Sequence, residues 1–339
     1  MGIRQVPDYS ARAGVRPVPR LQDWAALSGV EFRQRFSNQP VVLEGVARAW
    51  PAFGKWTRNY LAEKCGADLV TVRTPGMLGR EEVQLSVQVP LRSFAESVAS
   101  SPGAYLAQWY AYRGHPELYE DIGRLPEYLS IDCLAVVPRG WIMSAFDRNN
   151  IYWGAAGSST SCHYDHLNAV TWNATISGTK RWLLFSGRMF PEVEQSQCRE
   201  RLVRSGLATS RPAAGSEGVV TPAGIRRYLD GRLQGLPPDI TFQWADVVDG
   251  DLIYVPWRWF HQVHNVTESL AVSRYYVAEE NYAAAVAFLR ERGWLRALAF
   301  RGLAGSSTVR RLLSTPPVQH ALSARWIATA VRGVLRGAG

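Results

Sequence analysis

Four of the six histidines in this chain fall in two short clusters that lie about a hundred residues apart. His163 and His166 lie in CHYDHLN, and His261 and His264 lie in WRWFHQVHNV. Together with Asp165, one histidine from each cluster would supply two imidazoles and one carboxylate. This set of ligands suits Fe(II), because it occupies one face of the ion and leaves positions open for a cosubstrate and dioxygen.

Strand alternation decides which of these side chains can share one ion. Residues two apart on a strand point to the same face, so His163 and Asp165 can converge on a metal while His166 points away. A histidine two residues before an aspartate is common by chance, and a lone histidine is more often structural. The second histidine cluster and the β-rich context favour the metal site here.

The distal ligand is either His261 or His264. A proline ends the strand DLIYVP, and a second strand is predicted to start near Trp259. One face of that strand would carry Trp259, His261, Val263 and Asn265, whereas His264 would lie on the other face. A face that also carries a tryptophan and a valine suits the interior of a barrel, so we expect His261 to be the distal ligand. His264 is the alternative.

Lys180 lies in the apolar, β-rich segment WNATISGTKRWLLFSG. Arginine is the usual base of this chain, and the other lysines are only Lys55 and Lys64. A lysine in such a strand is costly to bury without an anion, and the far carboxylate of a dicarboxylic acid would be a suitable partner. The alternative is a strand-edge lysine that reaches solvent. We expect one strand from Asn173 to Lys180, unless Gly178 turns the chain.

The predicted elements place these motifs in the middle of the chain. Residues 140–186 and 240–278 are rich in β-branched and aromatic residues and predict an antiparallel barrel, split by a polar insertion near 188–240. Residues 1–19 predict a loose lead-in. Helices are predicted at 23–36, 55–65, 90–100 and from 281 onward, and strands at 39–46, 68–73 and 104–110. We therefore expect a catalytic domain at 20–280 and a helical segment at 281–339.

The bulk composition narrows the possible classes of protein. The 339 residues can bury a sizeable core, and a hydrophobic content of 47% is typical of soluble globular proteins. With no apolar run of about eighteen residues and no secretory signal, we expect no membrane span and a cytoplasmic location. The absence of a CxxC pair argues against a zinc module or a disulfide framework, since the cysteines are Cys65, Cys133, Cys162 and Cys198.

The net charge of +9 is concentrated at the C-terminus. Residues 281–339 contain nine arginines and one acid, Glu291, and so carry +8 of the total. A nucleic-acid enzyme would spread its basic surface around the active site, so we expect solvated helix faces and no nucleic-acid partner. The preference for arginine over lysine indicates a GC-rich, bacterial genome.

The same terminal segment carries an apolar stripe at helical spacing. Its members are Val318, Leu322, Trp326 or Ile327, Val331 and Leu335. We expect these helices to pair between two chains as a homodimer. The alternative is that they fold back over their own chain.

The sequence resembles the JmjC/cupin-like (cupin 8) family of Fe(II)- and 2-oxoglutarate-dependent oxygenases, which includes the asparaginyl hydroxylase of hypoxia-inducible factor. The resemblance covers roughly residues 20–278. Its most specific parts are HYD at 163–165, WNATISGTKRWLLF at 172–185 and GDLIYVPWRWFHQVHNV at 250–266. It implies an α+β, mainly β fold, with a double-stranded β-helix (jelly-roll/cupin) barrel between N-terminal α/β elements and C-terminal helices. It also implies Fe(II), 2-oxoglutarate and dioxygen.

The resemblance assigns roles to single residues. His163, Asp165 and His261 match the iron ligands, in agreement with strand alternation. Other matches are implied near 2-oxoglutarate: Lys180, Thr160 and Tyr105 at its C5 carboxylate, Asn173 near its chelating end, and Ser273 on the last strand. The chain departs from the family at Tyr275, where relatives often have asparagine, and at Trp259-Phe260, where two tryptophans are common.

The resemblance implies hydroxylation of a protein or peptide side chain, with release of succinate and carbon dioxide. Two observations favour a polypeptide: the resemblance extends through the N-terminal segment, and aromatic residues could line a groove. The alternative, expected for most of these residues, is that they belong to the core. The aromatic residues are Trp109, Tyr110, Tyr112, Tyr152, Trp153, Trp257 and Trp259. The alternatives are hydroxylation of a natural product or amino acid, methyl-lysine demethylation, and a non-catalytic cupin-like binding protein.

Overall fold

The computed structural model describes residues 6–78, 81–130, 132–136, 149–186, 195–210, 218–237, 239–291 and 294–305. Short helices and strands come first: β1 (Val15–Pro17), β2 (Arg20–Leu21), α1 (Gly29–Phe36), β3 (Val41–Leu43), α2 (Pro51–Lys55), α3 (Arg58–Cys65), β4 (Leu69–Leu78), β5 (Glu81–Pro90), α4 (Leu91–Ser97), β6 (Tyr105–Trp109) and α5 (Glu127–Ser130). This order agrees with the predicted N-terminal α/β elements.

The strands that carry the chemistry follow. They are β7 (Asn149–Gly154), β8 (Ser159–His163), β9 (Val170–Ser177), β10 (Thr179–Ser186), β13 (Phe242–Val248), β14 (Leu252–Val255), β15 (Trp259–Asn265) and β16 (Ser269–Tyr276). The described part of the insertion contains α6 (Gln195–Arg204), β11 (Ala208–Ser210), β12 (Gly218–Val220) and α7 (Pro222–Leu229). The last helices are α8 (Tyr282–Glu291) and α9 (Trp294–Ala304).

Two sheets face each other across an apolar interior. One has the order β1-β13-β10-β15-β8, and the other has the order β2-β3-β14-β9-β16-β7-β6-β4-β5. Their inner faces meet in one cluster: Val18, Val42, Trp182, Leu184, Ala245, Val247, Ile253, Val255, Trp259 and Val263. The mainly β, double-stranded β-helix architecture is confirmed. Within the described residues, however, no hydrogen-bonded strand pair joins the two sheets, so they do not form a closed barrel.

The segment from Asn173 to Lys180 is not one strand, and Gly178 is the reason. Its φ of +82° suits glycine, and a Cβ at this position would lie 2.0 Å from the carbonyl oxygen of Glu268. The chain therefore turns, so that β9 lies in the larger sheet and β10 in the smaller one. As a result, Asn173 and Lys180 approach the interior from opposite sheets.

The long helix predicted at 23–36 is shorter in the structure. Ser28 starts α1 in a capping box: its hydroxyl accepts from the backbone N–H of Glu31, whose carboxylate accepts from the backbone N–H of Ser28. The preceding residues form only a 3-10 turn, Trp24–Ala26. Further 3-10 turns are Val46–Ala49, Val98–Ser100, Ala111–Arg113, Pro116–Tyr119, Cys133–Val136 and His166–Asn168.

Helices α8 and α9 pack against their own chain. Leu289 and Phe300 share a buried cluster with Leu134, Leu167 and Val277. The stripe predicted between Val318 and Leu335 lies outside the described residues. In the part of the chain that the structure describes, no helix is both long and apolar enough to cross a membrane.

Candidate metal centre

His163, Asp165 and His261 each offer one ligand atom, and these three atoms lie within 4.8 Å of one another. The two histidines are direct partners across the antiparallel pair β8–β15, and their ring centroids are 4.4 Å apart. Nε2 of His163 lies 3.9 Å from Oδ1 of Asp165. The structure thus brings together two imidazoles and one carboxylate around a single point.

A backbone carbonyl orients each imidazole. Nδ1 of His163 lies 2.7 Å from the carbonyl oxygen of Ser161, and Nδ1 of His261 lies 3.1 Å from that of Trp259. Because a carbonyl only accepts, both Nδ1 atoms donate, and both Nε2 atoms are the potential ligands. Outer hydrogen bonds of this kind fix the tautomer of metal-binding histidines.

The backbone beyond Asp165 is held in a sparsely populated conformation. Leu167 and Asn168 have φ values of 64° and 49°, both in the left-handed region. The Asn168 carboxamide donates to the carbonyl of Ala284 at 3.1 Å, and Asn281 donates to the carbonyl of Asn168 at 2.7 Å. Strain of this kind persists only where neighbours enforce it and is frequent at functional sites. Helix α8 therefore supports the loop that carries the carboxylate ligand.

The electrostatics of the three groups fit a bound cation. Burial raises the pKa of Asp165 to about 8, because a carboxylate is poorly solvated there. Burial and the neighbouring His163 lower the pKa of His261, so its imidazole is neutral. A divalent cation would stabilise the charged carboxylate and use the neutral imidazole, and two nitrogens with one oxygen suit Fe(II).

The remaining histidines lie elsewhere. His264 is buried on the opposite face of β15, where its Nε2 lies 2.8 Å from Nε2 of Gln262. His166 is exposed on the turn after β8, and His115 contacts Asp68 at 3.0 Å. His320 is outside the described residues. Among the described residues, the group that could hold a metal contains His261 and not His264.

Lys180 is fully buried, which differs from the alternative of a strand-edge lysine in solvent. Only 1% of the residue is exposed, and its ammonium donates to Oδ1 of Asn265 at 2.7 Å and to Oγ of Ser269 at 3.5 Å. No carboxylate among the described residues pairs with it. Burial therefore lowers the pKa of Lys180 to about 7. A buried ammonium without an anion fits the far carboxylate of a dicarboxylic acid.

The ring of Tyr105 lies near this ammonium, and Thr160 contacts the hydroxyl group of Tyr105. The Tyr105 ring centre is 5.7 Å from Nζ of Lys180, and Thr160 Oγ1 donates to the Tyr105 hydroxyl at 3.3 Å. Residues three apart on a regular strand point to opposite faces, yet Thr160 pairs with Val263 while His163 pairs with His261. A β-bulge between these pairs turns both side chains to the interior.

Asn173 and Ser273 face each other on β9 and β16. Among the described residues, the buried Oδ1 of Asn173 has no hydrogen-bond partner, so a ligand at this point could satisfy it. The Ser273 hydroxyl donates to the carbonyl of Trp172 at 2.9 Å. Ser273 therefore already has a structural partner, whereas Asn173 presents an acceptor to the interior.

Sequence reasoning did not identify Asn265 and Gly154 as site residues. Oδ1 of Asn265 accepts from Lys180, and Nδ2 donates to the Ser158 hydroxyl at 2.6 Å. A Cβ at Gly154 would lie 2.1 Å from Nδ2 of Asn265, so only glycine leaves room for this contact. Strand alternation already placed Asn265 on the interior face of β15. This pattern could have predicted that Asn265 contacts Lys180.

Most of the aromatic residues considered for a groove are buried in the core, in agreement with the alternative interpretation. Trp109, Tyr112 and Trp153 are buried in the hydrophobic core of the larger sheet, and Trp257 packs against it. Trp259 belongs to the interior cluster between the sheets. Tyr152 differs, because its hydroxyl lies 2.5 Å from that of Tyr275.

With this geometry established, comparison with known proteins defines the class. A family model described as a cupin-like domain matches residues 30–282, and the chain belongs to this family. The match includes all three candidate ligands, Lys180 and the strands of the facing sheets from β3 to β16.

Several curated proteins are similar to this chain. Arginine-specific demethylase JMJ22 of Arabidopsis thaliana is 27% identical over 276 residues, which are 78% of this chain and 47% of the relative. The 2-oxoglutarate and iron-dependent oxygenase JMJD4 of Homo sapiens is 29% identical over 205 residues, or 59% of this chain and 43% of the relative. The bifunctional arginine demethylase and lysyl-hydroxylase psr-1 of Caenorhabditis briggsae is 23% identical over 78% of this chain and 62% of the relative. The chain thus spans less than half the length of the first two.

The lowered pKa of Lys180 predicts how 2-oxoglutarate binding depends on pH. The ammonium is protonated below about pH 7 and loses its proton as the pH rises. On the iron-loaded protein, affinity for 2-oxoglutarate should therefore be nearly constant below about pH 7 and fall above it. Calorimetric titrations from about pH 6 to about pH 9 measure this change. Lys180→Met should remove the dependence, and equal wild-type affinity throughout would contradict the assignment.

Proposed function

We propose that this chain is an Fe(II)- and 2-oxoglutarate-dependent dioxygenase that hydroxylates a protein or peptide side chain and releases succinate and carbon dioxide. One observation carries the proposal. The buried ammonium of Lys180, which has no carboxylate partner among the described residues, lies on the strand next to the one that carries His261. A metal triad and an anion site in one interior match the two ends of a chelating keto dicarboxylate.

Each part of the site has a distinct task. His163, Asp165 and His261 would hold the metal, and their common face leaves open positions for other ligands. Lys180, with Thr160 and Tyr105, would bind the far carboxylate and so fix the orientation of the cosubstrate. Iron with 2-oxoglutarate would supply oxygen activation coupled to oxidative decarboxylation. The apolar cluster between the sheets would limit the access of water.

The names of the relatives support a polypeptide substrate. JMJ22 is named for demethylation of arginine, and psr-1 is named for both arginine demethylation and lysyl hydroxylation. Demethylation of a methylated arginine or lysine is therefore the second candidate function. It would use the same site, because hydroxylation of an N-methyl group precedes loss of formaldehyde. Hydroxylation of a small molecule is the remaining alternative.

Turnover of 2-oxoglutarate tests the proposed activity. The purified chain, loaded with Fe(II) and supplied with peptides from a cell extract, should form succinate only when both iron and 2-oxoglutarate are present. Mass spectrometry should then detect peptides that gain one oxygen, which are absent with His163→Ala. Products that lack a methyl group would favour demethylation, and oxidised metabolites alone would favour the small-molecule alternative. No succinate under any condition would refute the activity.

We also propose a reducing, cytoplasmic and bacterial setting. Cys65, Cys133 and Cys162 are buried and form no disulfide bond, which supports a reducing compartment. The preference for arginine supports the bacterial origin.

Assembly into a homodimer through residues 281–339 remains a proposal. A cut before Asn281 would remove Leu289 and Phe300 and so uncover Leu134, Leu167 and Val277, which share their buried cluster. A chain that ends at Gly305 is therefore the better variant. Light scattering should give a dimer for the full chain and a monomer for this truncated chain. A monomeric full chain would refute dimerisation.

A further inference from the structure

Two tyrosines form a hydrogen-bonded pair on the inner face of the larger sheet. The hydroxyl groups of Tyr152 on β7 and Tyr275 on β16 are 2.5 Å apart. Tyr275 is level with Thr171 and Val255 on neighbouring strands, and Val255 belongs to the interior cluster. Burial raises the pKa of both phenols, and a neighbouring phenol and the Asp165 carboxylate raise it further, so both phenols are neutral.

Gln108 completes this group at the solvent edge. The Gln108 carboxamide is within hydrogen-bonding reach of both phenols. Gln108 is exposed, Tyr275 is half-buried and Tyr152 is buried. These three residues therefore extend from solvent to the inner face of the larger sheet. We call Gln108, Tyr152 and Tyr275 the phenol–amide cluster.

The backbone at Gln108 is strained. Its φ is +62°, and it lies in a β-bulge between the register pairs of Leu106 and Trp109. Such a conformation is unfavourable in a residue other than glycine, and it is frequent at ligand-binding positions. The bulge interrupts the pairing of β6 with β7 and directs this side chain towards the two hydroxyl groups.

We propose that the phenol–amide cluster binds the substrate side chain and selects a neutral hydrogen-bonding group, a carboxamide or an alcohol, over a methylated cationic one. The inference rests on the proposed function and names its substrate class. Phenols and carboxamides both donate and accept, so the cluster can bind either end of an amide or a hydroxyl group. The cluster reaches from the exposed Gln108 to the inner face of the sheet, where the rings of Tyr152 and Tyr105 have centroids 6.3 Å apart.

The charges around the cluster argue against a cationic substrate. Among the described residues, the carboxylate that acts on both phenols is Asp165, and it is itself a candidate metal ligand. Within the part of the chain that the structure describes, a guanidinium or methylammonium group would lose its hydration here without gaining an acidic partner other than this ligand. An amide or alcohol would exchange its water for the hydrogen bonds of the cluster.

Peptide libraries that differ only at the central residue test this inference. The iron-loaded full chain and 2-oxoglutarate are incubated with libraries fixed at Asn, Gln or Ser, at Lys or Arg, and at their methylated forms. Mass spectrometry measures the product, and succinate is measured in the same samples and in samples without peptide. Product should form from the neutral libraries. In Tyr275→Phe and Gln108→Ala, product per succinate should fall about five- to tenfold, as expected for one lost hydrogen bond.

Tyr119→Phe is the matched control, because this tyrosine is exposed outside the sheets and should leave the ratio unchanged. Products from the cationic or methylated libraries alone, products from none, or equal ratios in Tyr275→Phe and Tyr119→Phe would overturn the inference. If the substrate inference fails in one of these ways, succinate formed without peptide would show that the proposed dioxygenase activity is nevertheless present. Absence of succinate throughout would show that both proposals fail.

Discussion

Replacement of His163, Asp165 or His261 by alanine is expected to abolish Fe(II) binding and succinate formation. Each residue supplies one of the three ligand atoms that lie within 4.8 Å of one another, and no other described group of His, Cys, Asp and Glu could hold a metal. Loss of a residue that only orients a ligand typically costs about 10–100-fold in affinity or activity, and loss of a ligand should cost more. Metal analysis after gel filtration, together with a succinate assay, measures both effects.

His264→Ala is the matched control for this prediction. His264 lies on the same strand as His261, but on its opposite face beside Gln262. It should retain one iron per chain, although the free energy of unfolding should fall by about 1–3 kcal/mol because Gln262 loses a buried partner. Iron lost from His264→Ala but kept by His261→Ala would reverse the assignment of the distal ligand.

Lys180→Ala is expected to weaken 2-oxoglutarate binding while iron binding changes little. A hydrogen bond to a charged group contributes about 1.5–3 kcal/mol, so the dissociation constant should rise by about 10- to 150-fold. Calorimetry on the iron-loaded variant, with manganese or anaerobic Fe(II), gives this constant directly.

Lys64→Ala is the matched control, because it removes a lysine that lies outside the proposed anion site. Lys64 forms an exposed ion pair with Glu117 at 3.1 Å. Affinity for 2-oxoglutarate should be unchanged in this variant. If Lys180→Ala bound the cosubstrate as well as Lys64→Ala does, the anion site would have to be elsewhere.

Local periodicity was enough to bring the candidate ligands together, although β8 ends at His163 and Asp165 lies in the loop beyond it. The two-residue spacing of His163 and Asp165, and the composition of the face that carries His261, depend only on local periodicity. Such periodicity is strong in strands with one face in the interior. The burial of Lys180 followed from its apolar neighbours for the same reason.

Features that depend on contacts between distant strands were harder to predict. The bulge that turns Thr160 to the same side as His163 appears only when β8 is paired with β15. The requirement for glycine at position 154 comes from Asn265, more than a hundred residues away. The sequence also suggested an aromatic groove, but Trp109 and Trp153 pack into the core, since large aromatic residues are equally suited to both roles.

Anaerobic absorption spectroscopy tests the central claim most directly, because it requires both halves of the site at once. A keto acid that chelates Fe(II) gives a visible charge-transfer band, which neither component gives alone. The full chain with one equivalent of Fe(II) should develop this band as 2-oxoglutarate is added, Lys180→Ala should need a higher concentration, and His163→Ala should show none. Wild-type protein that holds iron but never develops the band would contradict the assignment of this interior to iron and 2-oxoglutarate.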